Sequence, residues 1–381
     1  MKNPGIPKAA PDLRRHNMAR LLSAVLDGAD SKRGLQERTG LSWGTVSALA
    51  NELLRKGYIV ETGKEGFSAG RKTAVLDVNA GDHYVVGLDI NASGLKAVVC
   101  DLKARVAERF RESVANPERN GVIGQLKALI ASVLDRYRGK KFLALGVAVQ
   151  GKVDTEAGVS LFLPYFAGWT NIDLRGILER EFDIPAYIYH DPDCVMASLS
   201  EPRADDLNYV LLRVEKGIGM SVATGGRILT GSRGINAEIG HTAVDPEGIQ
   251  CYCGNRGCLE AYVNAERILN EYKRGADLES FLAAARRGDD GATGAALEAG
   301  RYLGLAISTI CNIFNPATVF ICSSYGQIFE LARAELEKQI KNHVFGGKPP
   351  RVAILQSDGF AAAAGGAVFT ARRLIDESRL F

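Results

Sequence analysis

Apolar positions come in three regimes along the chain. Before residue 56 they recur at helical spacing. Met18, Leu21, Leu22, Val25 and Leu26 make one buried stripe. A short second helix is expected near Leu35–Thr39. Gly40-Leu41-Ser42 reads as a turn, with Ser42 as N-cap of a third helix that buries Val46, Leu49, Ala50, Leu53 and Leu54. The short, Gly-containing turn between helices two and three is that of a helix-turn-helix. Tyr58-Ile59-Val60 and Ala74-Val75-Leu76 then read as two strands around a polar tip holding Gly63, Lys64, Gly66, Gly70, Arg71 and Lys72. Together these elements predict a winged helix over residues 1–78.

From residue 84 the pattern changes to apolar strands with tight turns. Tyr84–Ile90 and Leu95–Cys100 form one hairpin, and Tyr209–Val214 with Met220–Ala223 form another after a turn at Glu215–Gly219. An amphipathic helix, Ile123–Tyr137, precedes the strand Gly146–Val149. Arg301–Ile313 precedes Thr318–Cys322 in the same way. This is an internal duplication, clear in pattern and weak in residues. It predicts an α/β body over 79–381 with two lobes, about 79–200 and about 201–381.

Length and composition agree. A chain of 381 residues exceeds one compact core, and 46% hydrophobic with 24% charged residues is ordinary soluble composition. No apolar run reaches membrane-span length, and the first residues lack a signal-peptide core. The seven cysteines include a metal-like cluster, which points to a reducing cytoplasm. The net charge of +3 is unevenly spread: residues 1–77 hold 13 basic and 8 acidic side chains, leaving 34 and 36 for the rest. A basic module on a neutral body suits double-stranded DNA. The alternative, a winged helix that docks on protein, fits that balance less well.

The third helix presents Ser42, Trp43, Thr45, Ser47, Asn51 and Arg55 outward. A recognition helix enters the major groove with its N-terminal residues nearest the bases. Trp43, Thr45 and Ser47 are therefore placed near bases and Arg55 near a phosphate.

Three of the seven cysteines, Cys251, Cys253 and Cys258, fall within eight residues, shortly after His241. Three thiolates and one imidazole are a tetrahedral set that structural Zn2+ prefers, with the site spanning 241–258. Chance clustering of buried thiols is the alternative.

The segment Glu-Ile-Gly-His (238–241), followed by Cys-Tyr-Cys-Gly-Asn-Arg-Gly-Cys-Leu-Glu (251–260), resembles the signature of the ROK (repressor, open reading frame, kinase) family of sugar kinases and sugar-responsive repressors. The resemblance runs from about Leu13 to the C-terminus. It implies an α/β fold: an N-terminal winged helix-turn-helix followed by a two-lobed, actin-like (ribonuclease-H-like, duplicated) domain with its ligand cleft between lobes. In the repressor branch, Arg71 and Lys72 of the wing would contact the phosphate backbone or minor groove.

The resemblance also implies sugar contacts at Asn171, His190, Asp191, Glu238, His241 and Glu260. Carboxylates suit hydroxyl donors. His241 would face both metal and sugar, while Glu238 and Glu260 could equally steady the zinc loop. Trp169 reads as a packed aromatic rather than a stacking platform. Asp191 matches the base of the kinases, but His190 stands where they usually carry Asn, so Asp191 is at most a vestigial base.

The kinase phosphate loops are altered. Asp89-Ile90-Asn91-Ala92-Ser93-Gly94 stands for Asp-x-Gly-Gly-Thr, Glu215-Lys216-Gly217-Ile218-Gly219 for Gly-Thr-Gly-Ile-Gly, and Cys322-Ser323-Ser324-Tyr325-Gly326 for a loop with a Gly-Gly pair. Side chains crowd where a nucleotide needs bare backbone, and Glu215 opposes phosphate charge. The expectation is therefore no enzyme. It is a cytoplasmic, sugar-responsive repressor, a homodimer or tetramer on an inverted repeat of operator DNA, with a small-molecule sugar effector in the cleft and no membrane. The alternatives are an ATP-dependent sugar kinase and a regulator with a vestigial sugar site that answers to a protein partner.

Overall fold

Three helices open the chain: α1 (Ala10–Leu26), α2 (Lys32–Thr39) and α3 (Trp43–Arg55). The computed structural model describes residues 10–65, 73–199, 207–232, 237–346 and 348–381. Helix α2 starts earlier than the periodicity suggested, because Ser31 caps it by accepting the Gly34 N–H at 3.2 Å. Its end is the left-handed Gly40. Ser42 caps α3 as expected and accepts the Thr45 N–H at 3.3 Å. Val46, Leu49, Ala50 and Leu53 are buried against Met18, Leu21, Leu22 and Leu35. Strands β1 (Ile59–Glu65) and β2 (Thr73–Val78) pair antiparallel as the wing. Its tip, with Gly66, Gly70, Arg71 and Lys72, lies outside the described residues.

The first half of the body contains β3 (His83–Asn91), β4 (Gly94–Asp101), β5 (Val106–Glu112), α4 (Arg119–Arg136) and β6 (Lys141–Val149). A small side sheet follows, of β7 (Lys152–Asp154), β8 (Val159–Phe162) and β9 (Thr170–Ile172), then α5 (Leu174–Phe182), β10 (Ala186–His190) and α6 (Asp191–Ser198). The second half contains β11 (Tyr209–Val214), β12 (Ile218–Thr224), β13 (Arg227–Ile228), α7 (Glu260–Val263), α8 (Ala265–Tyr272), α9 (Leu278–Arg286), α10 (Asp290–Phe314), β14 (Thr318–Ser323), α11 (Gly326–Leu331), α12 (Arg333–His343), β15 (Arg351–Gln356) and α13 (Ala361–Asp376).

The duplication is complete in topology. The sheets run β10-β6-β3-β4-β5 and β15-β14-β11-β12-β13, so each half places its fifth strand beside its fourth, then its first, second and third. The antiparallel hairpin and the parallel partner strands also correspond. Helix α10 extends well before the expected Arg301, because Ala292, Ala295, Ala296 and Ala299 continue its buried face and Asp289 caps its start.

The last helix corrects the lobe boundary expected from sequence. Rather than joining the second lobe, α13 packs on β3, β6 and α6 of the first. At Gly365 a Cβ would stand 1.6 Å from the Cys194 carbonyl oxygen, so only glycine allows the α6 and α13 backbones to meet. Apolar residues of α1, α3, α6, α13 and the first sheet form one continuous core. The junction is also polar and aromatic. The Tyr58 hydroxyl donates to the Leu380 carbonyl at 2.5 Å, and the Tyr58 ring stacks on His83 at 4.7 Å. Among the described residues, no helix is long and apolar enough to cross a membrane.

Candidate functional site

The ends of β10 and β11 face each other across the two lobes and build the floor of an open cleft. Its first-lobe lining includes Gln150, Tyr165, His190 and Asp191. Its second-lobe lining includes Arg213, Glu238, His241, Tyr252 and Glu260. Five of the six sugar-contact candidates therefore converge. Asn171 does not. It sits on β9 with φ 52°, is exposed, and is not part of the cleft lining. Trp169 is packed, as expected, and donates its Nε1–H to Ser160 Oγ at 2.8 Å.

Buried charges hold the floor together. Asp191 is the first residue of α6 and pairs with Arg213 of the opposite lobe. Arg213 also approaches Asp89 at 3.4 Å, and Lys96 lies 4.0 Å from the same Asp89 oxygen. His190 Nε2 stands 3.9 Å from Asp191 Oδ1. Burial pushes the Asp191 carboxyl up, and Arg213 and His190 oppose that shift. Burial likewise lowers the Lys96 ammonium.

Arg213 was missed by the sequence reading, although a lone cation inside the apolar run Tyr209–Val214 was a signal. A buried charge needs partners from elsewhere. Tyr252 and Tyr165 carried no such signal.

Two residues of this lining, and Asp89 beneath Arg213, carry a buried polar atom without a partner. Asp89 Oδ1, His190 Nδ1 and Glu260 Oε1 are buried with no hydrogen bond, while Glu260 Oε2 accepts the Ile218 N–H at 2.7 Å. Buried acceptors without donors are costly, which marks a place for a ligand rich in hydroxyls. Burial also pushes Glu260 up, against the Ile218 N–H that favours its ionised form.

A second cavity of about 660 Å3 adjoins the first and shares Gln150, Arg213 and Glu215 with it. The loops around Ala92, Glu215 and Ser324 meet here. Several of their backbone donors are satisfied from within the chain. Ala92 N–H donates to Gln150 Oε1 at 2.8 Å, and Ser93 N–H to Asn91 Oδ1 at 2.7 Å. Ser324 donates its N–H and its hydroxyl to the Glu215 carboxylate at 2.8 and 2.5 Å, and Tyr325 N–H donates to Ser323 Oγ at 3.0 Å.

The cysteine loop forms one wall of the cleft. The ligand atoms of His241, Cys251, Cys253 and Cys258 all lie within 4.8 Å of one another. Cys253 and Cys258 sulfurs are 3.6 Å apart, and Cys251 Sγ is 3.8 Å from His241 Nδ1. Two thiolates on one tetrahedral zinc stand about 3.8 Å apart, so the spacing fits. Gly257 (φ +69°) makes the turn possible, since a Cβ there would lie 1.6 Å from the Asp245 carbonyl oxygen. Burial, with the facing thiols Cys253 and Cys251, pushes the Cys258 thiol up to about 12. A cation among the three would reverse that.

On α3, Trp43 is 53% exposed at the helix start, and Asn51 and Arg55 are exposed further along. Ser42 Oγ is engaged by Thr45, through its N–H and its hydroxyl at 2.9 Å. Asn51 Oδ1 accepts from Lys32 Nζ at 2.8 Å, which brings a further cation of α2 beside this face.

Known proteins place this architecture. The chain is 25% identical to the xylose repressor of Bacillus subtilis (strain 168) over 343 residues, 87% of this chain and 88% of that one. It is 27% identical over 322 residues to the DNA-binding transcriptional dual regulator NagC of Escherichia coli (strain K12), 80% and 78% of the two chains. A crystal structure of a ROK family transcriptional regulator, a homolog of the E. coli MLC protein, superposes with a TM-score of 0.84 at 22% identity, covering 97% of this chain and 98% of its own. A ROK family glucokinase from Streptomyces griseus, solved with glucose and AMPPNP, gives a TM-score of 0.67 at 22% identity. It covers 98% of itself but only 75% of this chain. Residues 85–373 match the sequence profile of the ROK family, and the chain belongs to that family.

Proposed function

We propose that this protein is a sugar-responsive transcriptional repressor that binds double-stranded operator DNA through residues 1–78 and its effector through the inter-lobe cleft. One observation carries the reading. A capped recognition helix with an exposed polar face shares a chain with a cleft whose buried His190 and Glu260 atoms lack partners. Relatives named xylose repressor and N-acetylglucosamine repressor support it.

His190, Asp191, Glu238, His241 and Glu260 are the proposed sugar contacts. On α3, Ser42, Trp43, Thr45, Ser47, Asn51 and Arg55 face the DNA, with Arg71 and Lys72 on the wing. A homodimer or tetramer would present two such helices to an inverted repeat. Zn2+ is the proposed metal, held by His241, Cys251, Cys253 and Cys258. With four protein ligands it has no open position, so its contribution is structural. It ties down the loop that carries Tyr252 and leads into Glu260.

Phosphoryl transfer is not part of this reading. That the N–H groups of Ala92, Ser93, Ser324 and Tyr325 are engaged by Gln150, Asn91, Glu215 and Ser323 supports this. Asp191 is engaged by Arg213 rather than free to take a proton.

The test is fluorescence anisotropy on DNA from upstream of sugar-utilisation genes, titrated with and without neutral mono- and disaccharides. Binding that one sugar reverses or strengthens supports the proposal. Tight binding indifferent to every sugar shifts the signal to a protein partner. ATP consumption with any hexose, abolished by Asp191→Asn, would sink it.

A further inference from the structure

Tyr252 lies between two proposed metal ligands, Cys251 and Cys253, and lines the cleft. Its hydroxyl is 3.3 Å from His241 Nε2, and the two rings meet edge to face at 5.4 Å and 85°. His241 Nδ1 is turned the other way, toward Cys251 Sγ. A neutral imidazole that gives Nδ1 to a metal carries its proton on Nε2, and that nitrogen becomes a donor aimed into the cleft. With Nδ1 given to the metal, the phenol oxygen of Tyr252 is placed to accept from Nε2–H.

We infer that Tyr252 is a movable wall of the effector cleft, a placeholder that holds His241 Nε2 until a sugar hydroxyl takes it. This rests on the sugar-binding reading above. The placeholder is an incomplete one. The phenol on His241 also approaches the Glu260 carboxylate, but Glu260 Oε1 is left without a well-formed hydrogen bond. A sugar hydroxyl lying between the two residues accepts from Nε2–H and donates to Oε1, so both groups are satisfied at once. The residue is also free to yield. Tyr252 is 55% exposed, so turning its side chain gives up little packing, while the backbone on either side stays tied to the metal cluster. The displaced ring remains at the cleft mouth, where an aromatic face can cover the C–H face of a sugar ring.

Two substitutions separate this role from others. Tyr252→Phe keeps the ring and removes the competing hydroxyl. Tyr252→Ala removes both. The full-length, zinc-loaded chain is titrated calorimetrically with D-glucose, D-xylose and N-acetyl-D-glucosamine, and the metal content of each variant is measured alongside. The expected result is that Tyr252→Phe binds the recognised sugar about three- to tenfold tighter than the wild type. Tyr252→Ala binds it more weakly than the wild type, with zinc retained in both. Nitrogen NMR of His241 gives a second reading. Its Nε2 resonance should differ between wild type and Tyr252→Phe without sugar and coincide once sugar is bound.

A wild type that binds sugar while Tyr252→Phe binds equally or less tightly overturns this inference alone. So does a His241 resonance that sugar leaves unchanged. Binding of none of the three sugars to any of the proteins overturns the sugar reading and this inference with it.

Discussion

Arg213 of the second lobe is held by Asp191 of the first, with Asp89 3.4 Å from the other side of the guanidinium. All three are buried, so this contact bridges the lobes at the base of the cleft. Removing the cation would leave two carboxylates facing each other with only Lys96 beside Asp89 and His190 beside Asp191. Arg213→Leu should therefore destabilise the protein by about 3–5 kcal/mol in urea unfolding. Asp191→Asn should cost clearly less, because Asp89 still serves Arg213. Equal losses would mean that the bridge is not organised around the arginine.

The cysteine cluster makes a second prediction. Cys253→Ser should abolish stoichiometric zinc, lower the thermal midpoint by several degrees and weaken sugar binding, because His241, Tyr252 and Glu260 share that wall. Chelation of the wild type should reproduce all three effects. Metal analysis with thermal unfolding is the check, and unchanged stability would remove the structural role.

Acidification should loosen the joint between DNA-binding module and body. Burial lowers the pKa of His83 from its usual value of 6.5, helped by Lys141 and opposed by Asp82. A base with a lowered folded pKa contributes stability that is present above the unfolded value and lost as the pH falls below it. Burial at this joint therefore favours the neutral form of the imidazole that stacks on Tyr58. Melting curves between pH 7.5 and 5 should show a decline that His83→Phe flattens, and an identical decline in the variant would assign the loss elsewhere.

On DNA, Arg55→Ala should weaken binding evenly across sequences. It should also reduce the slope of log affinity against log salt by about one. A change confined to one operator position would move Arg55 from phosphate to base.

Local chemistry was legible where it depends on neighbours in sequence. Ser42 and the apolar period after it specified α3, and the spacing of Cys251, Cys253 and Cys258 specified the cluster, because a short loop fixes its own geometry. Distant partners were not legible. Nothing near Arg213 in the sequence names Asp191 or Asp89, since the pairing exists only when two lobes meet. Asn171 was assigned by resemblance but lies on a side sheet whose path no local pattern encodes. The place of α13 was missed for a related reason: its alanines and glycines suit any close helix contact, and only the fit of Gly365 on Cys194 decides which. The duplication was legible in outline, because hairpin and strand patterns repeat even where residues do not.

The core that runs unbroken from α1 through α13 to the first sheet has a mechanical meaning. It ties the DNA-reading head to the first lobe as a stiff arm, and it reaches Leu211 and Ala223 of the second lobe at the elbow below the cleft. In a two-fold assembly, a few degrees at that elbow would be magnified along the arm into a change of reach between the paired heads. The repressor proposed here would then report a sugar to DNA as a distance, matched or mismatched to the helical repeat of its operator.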